Sequence, residues 1–355
     1  MFFLGCVILA VLVFTYTNGF HDTANAIATV VSTKVLTPRQ AILLATVFNL
    51  LGALSGTAVA ATIGKGMVDP EYITITTIFC AMLSAITWNL MTWYFGIPSS
   101  SSQGLIGGLI GAAVASAHGN WNVVIWSVPG GHHWWSRDGV LYKVVLPMLT
   151  SPICGFVVGC LLMTVLYLLL RNWTPRIVNR VFGKLQLLSA SYMGFSHGTN
   201  DAQKSMGILA LALFSASNSG TLDHLPPWLH FLYTPRFEIP LWIQLVCGLS
   251  MAAGTALGGW RIIRTLGHRL VRLQPVHGFA AETTGATILL VTAKLGMPVS
   301  TTHAITSSIM GVGATKNWRA LNLAVVETIV WAWLLTLPAT GLLAYLMVRI
   351  AQGVT

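Results

Sequence analysis

Apolar segments of about twenty residues, separated by short polar loops, follow one another along nearly the whole chain. Of the 355 residues, 55% are hydrophobic and 8% are charged, whereas a soluble domain carries about 25% charged residues. Within a bilayer the backbone must satisfy its own hydrogen bonds, and an α-helix does so within a single segment. The sequence therefore predicts an all-α polytopic membrane protein with the lipid bilayer as its partner.

The formal net charge of +10 would suggest a nucleic-acid partner in a soluble protein. In a membrane protein the positive-inside rule explains it more simply, because basic residues accumulate in the cytoplasmic loops. No nucleic-acid-binding module accompanies the charge, so we expect no nucleic-acid partner. The basic residues gather in alternate loops, which are therefore predicted to be cytoplasmic. Both termini lie on the opposite side of the membrane in this arrangement, so they are predicted to be extracytoplasmic.

A charged motif lies inside two of the apolar segments, at residues 19–28 and 198–207. Aligning the two copies pairs Asp22 with Asp201. A charge inside a membrane segment is costly, so such residues are functional candidates. Because the motif occurs twice, it indicates a transporter that is built from two related halves.

The two halves are predicted to be inverted repeats of about five crossings each, at residues 1–170 and 185–355. A basic cytoplasmic linker at residues 171–184 joins them. An odd number of crossings gives the halves opposite orientations in the membrane. We expect the helices to be interrupted at the glycines of the charged motifs, Gly19 and Gly198, so that discontinuous helices meet near the midplane.

A second duplicated motif, at residues 96–103 and 296–303, begins with Gly-x-Pro and continues with hydroxyl residues. Gly-x-Pro ends one helix, and serine or threonine caps the start of the next. A helix that starts inside the membrane presents free backbone N–H groups and a positive dipole end, which attract oxyanions. The hydroxyl residues predicted to bind such an anion are Ser100, Ser101, Ser102, Ser300, Thr301 and Thr302.

The remaining polar side chains of the apolar segments are candidates for ion coupling. Asp22 and Asp201 can hold a cation or accept a proton, and burial favours the protonated form of a carboxyl group. Lys204 either pairs with Asp201 or presents its ammonium group to the anion. Glu282 either faces the pathway or forms an interhelical hydrogen bond. Further candidates are the amides of Asn25 and Asn200, as ligands of the coupling ion, and His21 and Glu282, as proton relay groups.

These motifs resemble those of the PiT inorganic phosphate transporter family, in particular of its bacterial low-affinity members. Residues 19–26 and 198–205 are similar to the family signature Gly-Ala-Asn-Asp-x-Ala-Asn-Ala, and the element Gly-x-Pro-x-Ser-x-Thr-His recurs from Gly96 and Gly296. The resemblance covers nearly the whole chain. It implies inverted repeats, cation-coupled symport of phosphate, and a location in the bacterial inner membrane.

The resemblance also implies roles for particular residues. The hydroxyls that would bind phosphate are Ser101, Ser102, Thr301 and Thr302. The residues that would hold the coupling cation, as in sodium-driven relatives, are Asp22, Asn25, Asn200 and Asp201.

Three residues depart from the family pattern. His21 replaces the first asparagine of the signature, Gln103 stands where the first element often has histidine, and Lys204 replaces the last asparagine of the second copy. A fixed ammonium group beside a sodium site would repel Na⁺. This departure favours protons as the coupling ion, with Na⁺ as the alternative.

The sequence thus predicts a secondary transporter that imports phosphate with protons, either as the free anion or as a neutral metal–phosphate complex. Sulfate or another oxyanion is an alternative substrate, and a channel or a receptor is an alternative class. A hydrolase with a Thr302/His303 or Ser196/His197 pair is disfavoured, because neighbouring residues on a helix point about 100° apart. We expect no enzyme activity, no cofactor and no resident metal, and the prediction allows a homo-oligomer.

Overall fold

The fold is described from a computed structural model that covers residues 2–129, 137–223, 225–316 and 321–354. Within these ranges the chain is almost entirely helical, as predicted, with one short antiparallel strand pair, β1 (Val128–Pro129) and β2 (Arg137–Asp138). The helices are α1 (Phe2–Ser32), α2 (Pro38–Ala53), α3 (Ala58–Lys65), α4 (Ile75–Phe95), α5 (Ser101–Ser116), α6 (Leu146–Leu170), α7 (Pro175–Asn218), α8 (Leu241–Leu257), α9 (Trp260–Arg264), α10 (Pro275–Lys294), α11 (Thr301–Lys316) and α12 (Leu323–Val354).

Length and composition identify fewer membrane spans than the ten crossings predicted. Among the described residues, four helical runs are long and apolar enough to cross a bilayer. The number is six if α2 with α3, bent by 67°, and α8 with α9, bent by 58°, each form one span. The difference arises because α5 and α11 have only 16 residues each, because α7 carries a charged motif, and because α10 carries polar residues such as Glu282. A helix of 16 residues is about 24 Å long, shorter than a hydrocarbon core of about 30 Å.

The charged motifs do not interrupt their helices, contrary to the prediction. Both α1 and α7 run unbroken through residues 19–28 and 198–207. Gly19 and Gly198 instead lie where helices cross closely: a Cβ atom at Gly198 would fall 2.1 Å from the backbone oxygen of Asn49 in α2. The glycines therefore allow close packing of helices, and the helical hydrogen bonds continue because the polar side chains find partners on other helices.

Gly198→Ala is expected to lower the melting temperature of the purified protein in detergent. The added methyl group would overlap backbone atoms of α2, and overpacking of this kind costs about 1–3 kcal/mol. The matched control is Gly183→Ala on the same helix, where nothing lies within 4 Å of the added Cβ atom. That variant should be neutral or slightly more stable, because alanine favours helix over glycine by about 1 kcal/mol. Equal melting temperatures for the two variants would contradict the close crossing.

Tight turns precede α5 and α11, and both helices start where the sequence predicts. The turns contain Gly96 and Gly296, which adopt left-handed conformations with φ of +68° and +65°. Glycine reaches this region without steric cost. The side-chain oxygen of Ser100 accepts a hydrogen bond from a backbone N–H of α5, and Ser300 does the same for α11, both at 3.2 Å. The predicted N-caps are therefore present in both halves.

Helices of the two halves pack against each other in a reciprocal manner. α5 packs on α12 and α11 on α6, while α1 packs on α8 and α2 on α7. Each of these contacts joins the segment 1–170 to the segment 185–355, as expected for two related halves. Their inverted orientation stays a prediction. α7 begins at Pro175, so most of the segment 171–184 belongs to this helix.

Candidate functional site

Asp22 lies within α1 and faces the start of α5. Ser101 donates a hydrogen bond to Asp22 Oδ2, and the same hydroxyl lies 2.7 Å from Asn18 Oδ1. On the other carboxylate oxygen, His21 Nδ1 lies 2.8 Å from Asp22 Oδ1. Thr302, at the start of α11, donates to the same Oδ1 at 3.4 Å. This one carboxylate therefore contacts the starts of both short helices.

Asp201 has an equivalent position within α7. Thr301 donates to Asp201 Oδ2 at 3.0 Å, and Lys204 forms an ion pair with Oδ1. His197 Nε2 lies 3.2 Å from Oδ2 without the alignment of a hydrogen bond, while its Nδ1 lies 2.9 Å from Asn49 Oδ1. The second carboxylate is thus bonded to the start of α11, as the first is bonded to the start of α5.

The residue three positions after each aspartate reaches across to the other half. Asn25 Nδ2 donates to the hydroxyl of Thr302 at 2.9 Å and to that of Thr301 at 3.2 Å. Lys204 Nζ donates to the hydroxyl of Ser102 at the start of α5. These hydrogen bonds join the two charged motifs and the two helix starts, which are far apart in the sequence, into one cluster.

We call these eight side chains the central cluster, and each of them exposes 3% or less of its surface. Its members are Asp22, Asn25, Ser101, Ser102, Asp201, Lys204, Thr301 and Thr302. Three potential metal-ligand atoms, one each from Asp22, His197 and Asp201, lie within 4.8 Å of one another. Two carboxylates and one ammonium group leave a net negative charge in a buried place. Because burying an uncompensated charge is costly, such a cluster favours a bound cation or a proton.

The helix starts add backbone donors to the central cluster. The first helical hydrogen bonds run from the N–H of Gly104 to Ser100 and from the N–H of Ala304 to Ser300, at 3.0 and 3.2 Å. Of the N–H groups that precede them, those of Gln103 and His303 bond to the caps; the others have no helical carbonyl to bond to, and the N-terminus carries a partial positive charge. Ser100 and Ser300, predicted to bind the anion, use their side-chain oxygens as caps. The arrangement suits an oxyanion.

Asn200 and Glu282, like the capping residues Ser100 and Ser300, make no side-chain hydrogen bond to the central cluster within the described part of the chain. Asn200 is buried, and neither atom of its side-chain amide has a hydrogen-bond partner among the described residues. Glu282 accepts hydrogen bonds from Thr29 at 2.5 Å, from Gln186 at 3.0 Å and from Ser189. Glu282 therefore joins α10 to α1 and α7, which is the second of its two expected roles. A role in proton relay stays a prediction.

Sequence analysis missed several contributors to the site. Asn18 lies one helical turn before Asp22, and the spacing of four residues would have placed both on one face of the helix. Val299 contributes a backbone carbonyl, which accepts from the lysine of the cluster at 2.9 Å; no side-chain pattern reveals such a group. Thr92 lies 3.1 Å from His21 Nε2 and fixes the ring from α4.

Comparison with known proteins agrees with this geometry. The model of the phosphate transporter family, PHO4, matches residues 18–344. The chain belongs to the phosphate transporter family. As a member, it is similar to proteins named probable low-affinity inorganic phosphate transporters. One from Bacillus subtilis is 40% identical over 348 residues, which cover 97% of this chain and 96% of the relative. One from Rhizobium meliloti is 42% identical over 340 residues, which cover 96% and 93%.

A solved structure named the sodium-dependent phosphate transporter has the same fold as this phosphate transporter family member. Its TM-score is 0.84 at 23% sequence identity, and the match covers 100% of both chains. The family and its members are transporters, so the predictions of a multi-pass membrane protein without enzyme activity are confirmed. The predicted resemblance to phosphate transporters is confirmed as well.

Proposed function

We propose that this protein is a symporter that imports inorganic phosphate together with protons across the bacterial inner membrane. The observation that supports this most directly is the central cluster, where hydroxyl groups of both helix starts meet both carboxylates. Phosphate as the substrate is supported by membership of the phosphate transporter family. The proposal includes two inverted halves and extracytoplasmic termini.

The donors of the central cluster fit a tetrahedral anion. Ser101, Ser102, Thr301 and Thr302 each carry a hydroxyl, and the N-termini of α5 and α11 add backbone N–H groups. In the structure, the hydroxyls of Ser101 and Thr301 donate hydrogen bonds to the two aspartates. A phosphate ion would replace the carboxylates as the acceptor of these hydrogen bonds. Phosphate is a charged acceptor, as the carboxylates are, so these hydrogen bonds stay about twice as strong as bonds to a neutral acceptor.

The carboxylates explain why the anion would need a companion ion. Two like charges about 4 Å apart repel each other by about 4 kcal/mol at the effective dielectric constant of a protein. Protonation of an aspartate removes this repulsion and also lowers the repulsion between the carboxylates and a bound phosphate ion. Because linkage is reciprocal, phosphate that binds more tightly to the protonated site also favours its protonation. Coupled movement of protons and phosphate follows from this linkage.

Alternating access would come from movement of one helix start relative to the other. The start of α5 belongs to the first half and the start of α11 to the second, and α1 contacts both short helices. The side chains of the central cluster are buried, so phosphate must break hydrogen bonds between the halves to enter or leave. Rocking of one half against the other around a fixed site provides this step.

Phosphate uptake into proteoliposomes tests the proposal. With an inward proton gradient, the protein should accumulate labelled phosphate above its external concentration, and a protonophore should abolish the accumulation. Replacement of Na⁺ by choline should have no effect. Uptake that requires a sodium gradient would contradict proton coupling, and equilibration without accumulation would indicate a channel. Empty liposomes and liposomes without a gradient are the controls.

The same assay separates the alternative substrates. Excess sulfate should compete poorly with labelled phosphate, and equal competition would favour a general oxyanion transporter. A metal–phosphate complex as the substrate predicts that uptake requires a divalent cation and that the labelled metal enters with phosphate. Uptake that persists in the presence of a chelator would exclude this form of the substrate.

A further inference from the structure

The ammonium group of Lys204 is surrounded by oxygen atoms from three different parts of the chain. It donates to Asp201 Oδ1, to the hydroxyl of Ser102 and, at 2.9 Å, to the backbone oxygen of Val299. A lysine ammonium has three N–H donors, so all of them are used. The side chain exposes only 1% of its surface. A carboxylate, a hydroxyl and a backbone carbonyl are oxygen ligands of the kind that bind hard cations.

The first half has a corresponding hydrogen bond without the charge. Asn25 occupies the position in α1 that Lys204 occupies in α7, and it donates to Thr302 just as Lys204 donates to Ser102. Thr302 and Ser102 are themselves equivalent in the duplicated motif. The two halves therefore differ at this point by one cation that is covalently attached to the protein.

The partners of the two aspartates differ accordingly. Asp201 has the fixed charge of Lys204 beside it. Asp22 is contacted by the imidazole of His21 and by hydroxyl groups, and among the described residues no lysine or arginine pairs with it. No fixed cation therefore balances the charge of Asp22. A mobile ion can balance it, and so can a proton on the carboxylate or on the imidazole of His21.

We infer that the Lys204 ammonium permanently fills the position beside Asp201 that a coupling cation would otherwise take, and thereby excludes sodium from that side of the central cluster. This inference rests on the proposed phosphate symport and names the residue that selects the coupling ion. Na⁺ beside Asp201 would have to approach within about 4 Å of a fixed positive charge, which weakens its binding by about 1000-fold. A proton on the Asp22 side meets no such obstacle. If Lys204 had only a structural role, its substitution would leave the ion selectivity of transport unchanged.

Lys204→Asn tests the inference, because it copies the residue of the first half. In proteoliposomes, an inward sodium gradient should stimulate phosphate uptake by this variant at least about tenfold, and uptake by the wild type less than twofold. Lys204→Arg keeps the charge and should stay insensitive to sodium. Lys204→Met removes the charge but provides no oxygen ligand, and it should lose uptake without a response to sodium.

Thermal unfolding in detergent gives a second measurement that does not depend on transport. Removal of the ammonium group leaves the Asp201 carboxylate without its cation, so Na⁺ should stabilise the Lys204→Asn protein relative to choline at equal ionic strength. The melting temperature of the wild type should be the same in both salts. Lys204→Gln, with a longer amide, serves in the same two assays if the asparagine variant does not fold.

The outcomes separate this inference from the proposed function. Suppose that the wild type transports phosphate with protons. If neither amide variant folds, or if neither gains a sodium response in uptake or in melting temperature, the assignment of Lys204 is wrong and the symport stands. If the wild type itself is driven by sodium, both are wrong. If the wild type takes up no phosphate under any gradient but sodium stabilises only the amide variants, the proposed function fails while the cation position remains.

Discussion

Asp22→Asn should reduce accumulation of phosphate in proteoliposomes to background, a fall of at least about 100-fold. An amide cannot bind and release a proton at neutral pH, so the step that links phosphate to the proton gradient is lost. The amide also weakens the contacts with Ser101 and His21, and hydrogen bonds to charged groups contribute about 1.5–3 kcal/mol each. Uptake of labelled phosphate under a proton gradient measures the loss.

Exchange of phosphate across the membrane separates coupling from binding in this variant. Asparagine has the shape of a protonated aspartate, so Asp22→Asn should still exchange external for internal phosphate without a gradient. Asp201→Asn should lose both activities, because it removes the carboxylate partner of Lys204 and leaves a buried ammonium group unpaired. Loss of one member of a buried ion pair costs about 3–5 kcal/mol.

A neutralised aspartate outside the cluster is the matched control. Asp69 lies in the loop after α3, where its side chain accepts a hydrogen bond from the N–H of Glu71 at 3.1 Å. Asparagine caps such a turn as well as aspartate does, so Asp69→Asn should transport within about twofold of the wild type. Normal accumulation by both Asp22→Asn and Asp201→Asn would remove the carboxylates from the mechanism.

The hydroxyl groups of the two helix starts should contribute about equally to phosphate affinity. Ser101→Ala and Thr301→Val change the size of the side chains little but remove one hydrogen-bond donor each. Since a hydrogen bond to a charged group contributes about 1.5–3 kcal/mol, each change should raise the phosphate concentration for half-maximal uptake at least about tenfold. The double variant should raise the phosphate concentration for half-maximal uptake by about 100-fold or more, because both donors bind the same anion in the proposal.

The same chemical changes outside the central cluster provide controls for the hydroxyl variants. Ser191 is half-buried and Thr328 is exposed, and their hydroxyls donate to backbone oxygens of the preceding turn of their own helices, at 2.8 and 2.9 Å. Ser191→Ala and Thr328→Val should leave the concentration for half-maximal uptake unchanged. An affinity that changes in only one of the two cluster variants would show that phosphate binds to a single helix start.

The sequence was sufficient to predict the helix starts and most of the central cluster. Gly-x-Pro and the hydroxyl run determine where α5 and α11 begin, because each residue type has a local conformational preference that the rest of the chain does not override. Duplication of both motifs then indicated that their side chains meet. The contacts of Ser101 with Asp22 and of Thr301 with Asp201 confirm that they do.

Tertiary packing explains where the predictions failed or were incomplete. A polar motif with glycine looks like a helix break when only local preferences are considered. In the fold, Gly198 is needed for a close crossing with α2, and the polar side chains beside it bond to other helices, so α7 stays intact. The hydrogen bonds of Glu282 to two other helices depend on contacts far apart in the sequence, which no local pattern reveals.

The central claim is that the starts of α5 and α11 hold one phosphate ion between the two charged motifs. A cryo-electron microscopy map of the protein in lipid nanodiscs with phosphate tests it most directly. The account predicts a single tetrahedral density in the central cluster, contacted by Ser101 or Ser102 from one half and by Thr301 or Thr302 from the other. Phosphate bound to one helix start alone, or outside the cluster, would contradict it.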